Sequence, residues 1–175
     1  MTKGVRKAGK TMKDAERRRL ARRSRGAEAA ERSGAAPPGW AVVWCDGGSR
    51  GNPGPAAYAY VIDDADGNEV AAVAAEIGVA TVGTAEYRAV AEGLAAAAKL
   101  GLERVEVRTD SRLVVRHLVA DRPLRNPALA VLRDRARAAA DELGGVTYRW
   151  VPAAENARAD ALVSGLLVSA VPSGE

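Results

Sequence analysis

From Trp40 onward, strand-like and helical segments alternate in an order that few folds accommodate. WAVVWCD (40–46) is rich in β-formers and ends on an acid. AAYAYVID (56–63) and EVAAVAAEIG (69–78) read as two further strands, the turn-forming DADGN (64–68) between them. Three strands joined so closely make an antiparallel meander. The composition then becomes helical in GTAEYRAVAEGLAAAAKLG (83–101), with Thr84 as its expected cap and Gly101 after its end. ERVEVRTD (103–110) alternates as a fourth strand, and SRLVVRHLV (111–119) is a short helix broken by DRPLRNP (121–127). NPALAVLRDRARAAADELGG (126–145) is a longer helix with proline near its start, VTYRWVP (146–152) a fifth strand and ENARADALVSGLLVSAV (155–171) a final helix. The order β-β-β-α-β-α-α-β-α is that of one α/β domain, and its strand–helix–strand step implies a right-handed crossover.

The first and fourth strands both end in an acid, Asp46 and Asp110. As parallel neighbours they would sit side by side at the carboxyl edge of the sheet, where open α/β sheets bind ligands. Glu86 falls in the expected first turn of the first helix. Asp160 lies in the last helix, with Ala157, Ala161 and Ser164 around it at helical spacing. Singly, each acid has an ordinary role: Glu86 beside the positive end of a helix dipole, Asp46 and Asp110 in turns, Asp160 on the surface. Gathered at one edge they would repel, and hard divalent cations bound through oxygen relieve that repulsion. Cys45 alternates to the face opposite Asp46 and is expected in the core. The sole histidine, His117, reads as structural or surface. With no His/Cys cluster for zinc, oxygen donors favour Mg²⁺ or Mn²⁺. Two such ions ~3.5–4 Å apart suit in-line hydrolysis of a phosphodiester. Gly47, Gly48, Gly51 and Gly54 after the first acid would let a sugar-phosphate backbone come close.

Charge divides the chain. Residues 1–39 hold 12 Lys/Arg against 4 Asp/Glu, whereas residues 40–175 hold 14 against 18. A basic arm on a mildly acidic body fits a polyanionic partner, nucleic acid being the simplest, although such arms are often only solvated. GAAPPG (34–39) reads as a linker, which divides the chain into an extension (1–39), a domain (40–171) and a short tail (172–175). One cysteine excludes an intrachain disulfide and fits a reducing compartment. No segment reads as a secretory signal or is apolar enough to span a bilayer, so the expectation is a cytoplasmic protein with no membrane contact.

The stretches DGGSRGNPGPA, AEYRAV, VRTDS and WVPAAENARADAL, in this order and on these elements, resemble the ribonuclease H family, type 1, over Trp40–Val171. The resemblance implies a ribonuclease H-like α/β fold: a five-stranded mixed sheet of order 3-2-1-4-5 flanked by helices. It implies an endonuclease that hydrolyses the RNA strand of an RNA/DNA hybrid, leaving 3′-hydroxyl and 5′-phosphate ends. Two Mg²⁺ ions, replaceable by Mn²⁺, are implied at Asp46, Glu86, Asp110 and Asp160, with no small-molecule cofactor and a monomeric enzyme. By the same resemblance, Ser49 and Asn52 would touch the RNA strand. Glu86 would also sense a 2′-hydroxyl, and Thr81 and Asn126 would hold a phosphate of the DNA strand.

The chain departs from the family pattern in four places, one of them the lack of the Arg that some relatives carry near Ala153. Val82 and Gly83 stand where relatives carry an Asn or Gln pair that reads the minor groove. PAAEN (152–156) lacks the histidine that many relatives place before the last Asp, which leaves Glu155 as the polar candidate for an assisting role. The basic insertion that some relatives use to grip the hybrid has no room between His117 and Asn126, so the grip is expected from the extension. The alternatives are a nucleic-acid-binding module of this fold with little or no activity, and another nuclease or transposase of the same fold.

Overall fold

The computed structural model describes residues 36–120 and 124–169. The expectations for the extension at 1–35, for part of the breaker at 121–123 and for the C-terminal end at 170–175 lie outside the described residues. Strands β1 (Ala41–Ser49), β2 (Gly54–Asp63) and β3 (Glu69–Ala80) are followed by helix α1 (Val82–Lys99), strand β4 (Arg104–Thr109), helices α2 (Arg112–Val119) and α3 (Pro127–Asp141), and strand β5 (Gly145–Trp150). A 3₁₀ turn at Ala153–Asn156 leads into helix α4 (Ala157–Ser169).

The five strands form one sheet in the order β3-β2-β1-β4-β5. β1 pairs antiparallel with β2, and β2 with β3, whereas β1–β4 and β4–β5 are parallel. This is the mixed sheet expected from the sequence.

β1 shows why the layers stack as they do. Val43 and Cys45 face α1 within the main core, joined there by Val105, Val107 and Tyr148 from β4 and β5. The opposite face of β1 and β2 is covered by α4, where Ala57, Ala59 and Val163 form a smaller core with Leu162, Leu166 and Leu167. Helix α1 lies unusually close to β1 because both are small at the crossing. A Cβ on Gly93 would stand 2.8 Å from Val43 Cγ1, and one on Gly47 only 2.2 Å from the Ala85 carbonyl carbon. The alanine-rich sequence of α1 thus serves contact distance rather than buried volume.

Two expectations are corrected here. Asp46 is not the end of its strand, because β1 continues to Ser49 and Asp46 pairs with Ala59 of β2. The glycines after it answer first to the protein's own packing. Gly47 meets the α1 backbone, Gly48 faces Val163 and Leu167, and a Cβ on Gly54 would strike the Arg50 carbonyl. Gly51 is the one set by conformation, with φ of +90° in the hairpin loop.

Candidate active site

The site is the carboxyl edge of β1 and β4. Their parallel pairing runs to Trp44↔Arg108, and Asp46 and Asp110 lie two residues further along each strand, on the face that carries α4. Glu86 comes from α1, which is pressed onto β1 at Gly47, and Asp160 comes from the first turn of α4. Four elements far apart in sequence therefore converge on one edge.

The helix that carries Glu86 begins earlier than the sequence implied. Thr81, not Thr84, is the N-cap: its hydroxyl accepts from the Thr84 N–H at 3.2 Å, and α1 starts at Val82. Glu86 is accordingly the fifth helical residue and lies past the first turn. Its carboxylate is placed by helix phase and not by attraction to the helix N-terminus.

The electrostatics show that the acids feel one another. The carboxyl of Asp46 is pushed up to about 6, by burial first, then by the charge of Asp110 and more weakly by Asp160, while the Gly47 N–H opposes the rise. Glu86 is raised by burial and by Asp110 and Asp46, against a side-chain hydrogen bond from Ser111. Among the described residues no three acids close into a ready ligand cage. The group is coupled by charge without being locked by contact. An all-oxygen set with a carboxyl raised by its neighbours suits a hard divalent cation, which would lower every one of those energies at once.

Several residues outside the sequence-level reading hold this edge in shape. Trp150 donates from Nε1 to the Asp110 carbonyl at 2.9 Å, and the Arg112 guanidinium lies 3.6 Å from the centre of its ring. The Val151 N–H continues the β4–β5 ladder to Thr109 O at 3.0 Å. Asn156, buried in the 3₁₀ turn, donates from Nδ2 to the Cys45 carbonyl at 2.9 Å. Tryptophan after a strand and asparagine in a turn are too common to stand out in one sequence. Only the fold shows what they touch.

The expected substrate contacts all turn out to hold local structure. The single Ser49 hydroxyl proton is shared between the carbonyls of Gly54 (3.1 Å) and Ala80 (2.9 Å), which closes the β1–β2–β3 corner. Asn52 accepts the Val82 N–H through Oδ1 at 3.2 Å. Asn126 caps α3, accepting from Ala128 and Leu129. In both asparagines the engaged atom is Oδ1, and the residues are exposed. A Cβ on Gly83 would sit 3.8 Å from Leu129 Cδ1, so the N-terminal ends of α1 and α3 adjoin, with Thr81 and Asn126 as their caps.

Glu155 is exposed on the 3₁₀ turn. Cys45 is fully buried, its thiol 3.6 Å from the Ala89 carbonyl, as its alternation implied. His117 is structural: its Nδ1 lies 2.7 Å from the hydroxyl of buried Tyr87, which ties α2 to α1.

Comparison with known proteins agrees with this geometry. Residues 44–165 match the family described as Reverse transcriptase-like. The chain is 41% identical over 133 residues to a bifunctional protein of Mycobacterium tuberculosis, a match that covers 75% of this chain and 36% of that protein. It is 42% identical over 125 residues to a ribonuclease HI of Halobacterium salinarum, covering 71% of this chain and 63% of the relative. The chain thus spans about one third to two thirds of the length of these relatives. Among solved structures, the RNase H1 of Halobacterium salinarum superposes with a TM-score of 0.71 at 41% identity, over 75% of this chain and 100% of that one. LC11-RNase H1 in complex with an RNA/DNA hybrid gives 0.69 at 33% identity, over 75% and 99%. With the sheet order, the match over residues 44–165 and these likenesses together, this chain belongs to the Reverse transcriptase-like family and is a ribonuclease H domain of the type 1 kind.

Proposed function

We propose that the chain is an endonuclease that hydrolyses the RNA strand of RNA/DNA hybrids, leaving 3′-hydroxyl and 5′-phosphate ends. The observation that carries the reading is the charge coupling of Asp46 to Asp110, Asp160 and Glu86 across four elements of a ribonuclease H domain. In this reading Asp46, Glu86, Asp110 and Asp160 would together hold two Mg²⁺ ions, or Mn²⁺ in their place, with Glu86 and Asp110 serving the side of the leaving 3′ oxygen and Asp160 the side of the attacking water. The ions would supply charge stabilisation and water activation.

The chain's own residues do the rest. Asp46 must lose its proton to bind a cation, so affinity falls below its raised value of about 6. Thr81 and Asn126, the caps of adjoining helix N-terminal ends, would hold a DNA phosphate with help from the partial positive charge of those ends. Asn52, its oxygen engaged by Val82, would use its Nδ2 amide on the RNA strand, with Ser49. Glu86 would also meet the 2′-hydroxyl that separates RNA from DNA. Glu155 remains the polar candidate for an assisting role.

The basic extension, 12 Lys/Arg in 39 residues, is read as an additional grip on the hybrid. Among the described residues no helix is long and apolar enough to cross a membrane. We read the protein as a cytoplasmic monomer.

The test is cleavage of labelled RNA/DNA hybrid, double-stranded RNA and double-stranded DNA, with and without Mg²⁺, by the wild type and by Asp110→Asn. Mg²⁺-dependent cutting of the hybrid RNA strand, abolished in the variant, is the expected result. Val82 and Gly83, in place of an amide pair, favour a second reading: a hybrid-binding module with little turnover. Tight hybrid binding without Mg²⁺-dependent products would establish that reading instead.

A further inference from the structure

Asn156 occupies the last position of the 3₁₀ turn between β5 and α4 and is 1% exposed. Its Nδ2 donates to the Cys45 carbonyl, a bond that spans 111 positions of sequence. The registered β1–β4 pairing stops one residue before that carbonyl, at Trp44↔Arg108. A side chain therefore takes over where the backbone ladder ends. The carbonyl of Cys45 and the N–H of Asp46 belong to one planar peptide unit, so a partner that fixes the first orients the second.

The other end of Asn156 leads directly to Asp160. The turn passes into α4 without a break, Ala157 having φ −56° and ψ −30°. Asp160 follows four residues after Asn156, in the first turn of the helix that the 3₁₀ turn leads into. The charge of Asp160 adds weakly to the rise of the Asp46 carboxyl, so the two acids lie within electrostatic reach of each other. One side chain thus joins the peptide of one acid to the helical turn of another. Its Oδ1 is buried with no hydrogen-bond partner.

We infer that Asn156 is a positioning residue that sets the separation of Asp46 from Asp160, and through it the affinity of the carboxylates for a divalent cation. This rests on the reading of those carboxylates as cation ligands. Partners that orient ligands in this way are typically worth about 10–100-fold in metal affinity.

Asn156→Ala removes the donor, and Asn156→Ser keeps a shorter one. Calorimetric titration with Mg²⁺ should show the alanine variant weakened by about 10-fold or more, with the serine variant between it and wild type. Half-maximal hybrid cleavage should need correspondingly more Mg²⁺. At saturating Mg²⁺ turnover should recover, with KM for the hybrid unchanged. A merely structural role would produce neither the recovery nor the unchanged KM. Wild-type Mg²⁺ affinity in Asn156→Ala, or turnover that no Mg²⁺ concentration restores, would overturn the inference. If the alanine variant does not fold, the wild type decides: the Asn156 side-chain amide protons should shift on Mg²⁺ addition in an NMR titration, and unmoved resonances would refute the link. Absence of Mg²⁺ binding and of hybrid cleavage in the wild type would instead defeat the proposed function.

Discussion

Asp46→Asn should make the folded protein more stable in cation-free buffer while removing its reason to bind a cation. Burial and the charges of Asp110 and Asp160 hold this carboxyl at about 6 in the folded state, against 3.8 for an ordinary one. Between those values the folded protein keeps the proton that the unfolded chain has already released. Stability therefore falls as pH rises through that window, and the deficit is complete above it. A shift of this size corresponds to about 3 kcal/mol at full effect. The carboxyl is partly open to water, and screening reduces the figure to about 1–2 kcal/mol. Asparagine retains an oxygen for the Gly47 N–H and carries no charge, so it recovers that amount. The variant should melt about 3–6 °C above wild type near pH 7.5, and the gap should close near pH 4, where the wild-type carboxyl is protonated too. Excess Mg²⁺ should then raise the wild type by mass action and leave the variant nearly unmoved, narrowing or reversing the order. The assay is thermal unfolding at both pH values, with EDTA and with Mg²⁺. Equal melting temperatures near neutrality, or a variant less stable than wild type there, would refute the view that burial and the neighbouring charges make the ionised Asp46 carboxyl costly in the folded state.

Three further outcomes follow from particular features of the chain. Gly47→Ala should destabilise by about 3 kcal/mol or more, because its Cβ would stand 2.2 Å from the Ala85 carbonyl carbon and α1 would have to leave β1; chemical denaturation measures this. Val82→Asn with Gly83→Asn should tighten hybrid binding without harm to the fold: Gly83 is not among the glycines of positive φ, and its Cβ would make only ordinary contact with Leu129. Fluorescence titration with a labelled hybrid would show it, and unchanged affinity would mean that another element already makes this contact. Deleting residues 1–37 should raise KM at moderate salt and flatten the log–log salt slope by about 0.9 for each phosphate that the extension neutralises, with turnover at saturating hybrid little changed; equal slopes for the two forms would leave the extension without a role in binding.

The sequence alone determined the order of elements and the opposite faces of Cys45 and Asp46, and it singled out the four acids. Alternation put Cys45 and Asp46 on opposite sides of β1, and a period-2 pattern cannot mislead about that while one face is buried. Asn126 followed by Pro127 announced the start of α3 through local chemistry that the folded protein retains. Boundaries were legible to within a few residues wherever such local signals acted alone. Thr81 and Thr84 illustrate the limit: both can cap a helix, their hydroxyls stand 2.9 Å apart, and the choice between them depends on where α1 must begin to meet β1.

Only the tertiary structure decided what the small and polar residues were for. Gly47, Gly48 and Gly54 look like room for a substrate, yet each is small because another part of this chain lies against it. Ser49, Asn52, Thr81 and Asn126 serve turns and helix ends through part of their hydrogen-bonding capacity. Trp150 and Asn156 support Asp110 and Asp46 through hydrogen bonds spanning 40 and 111 residues of sequence. A local pattern records what a residue prefers along the chain. It holds no record of a partner brought within 3 Å by the closing of a sheet, and the spacing of the four carboxylates is a property of that closure.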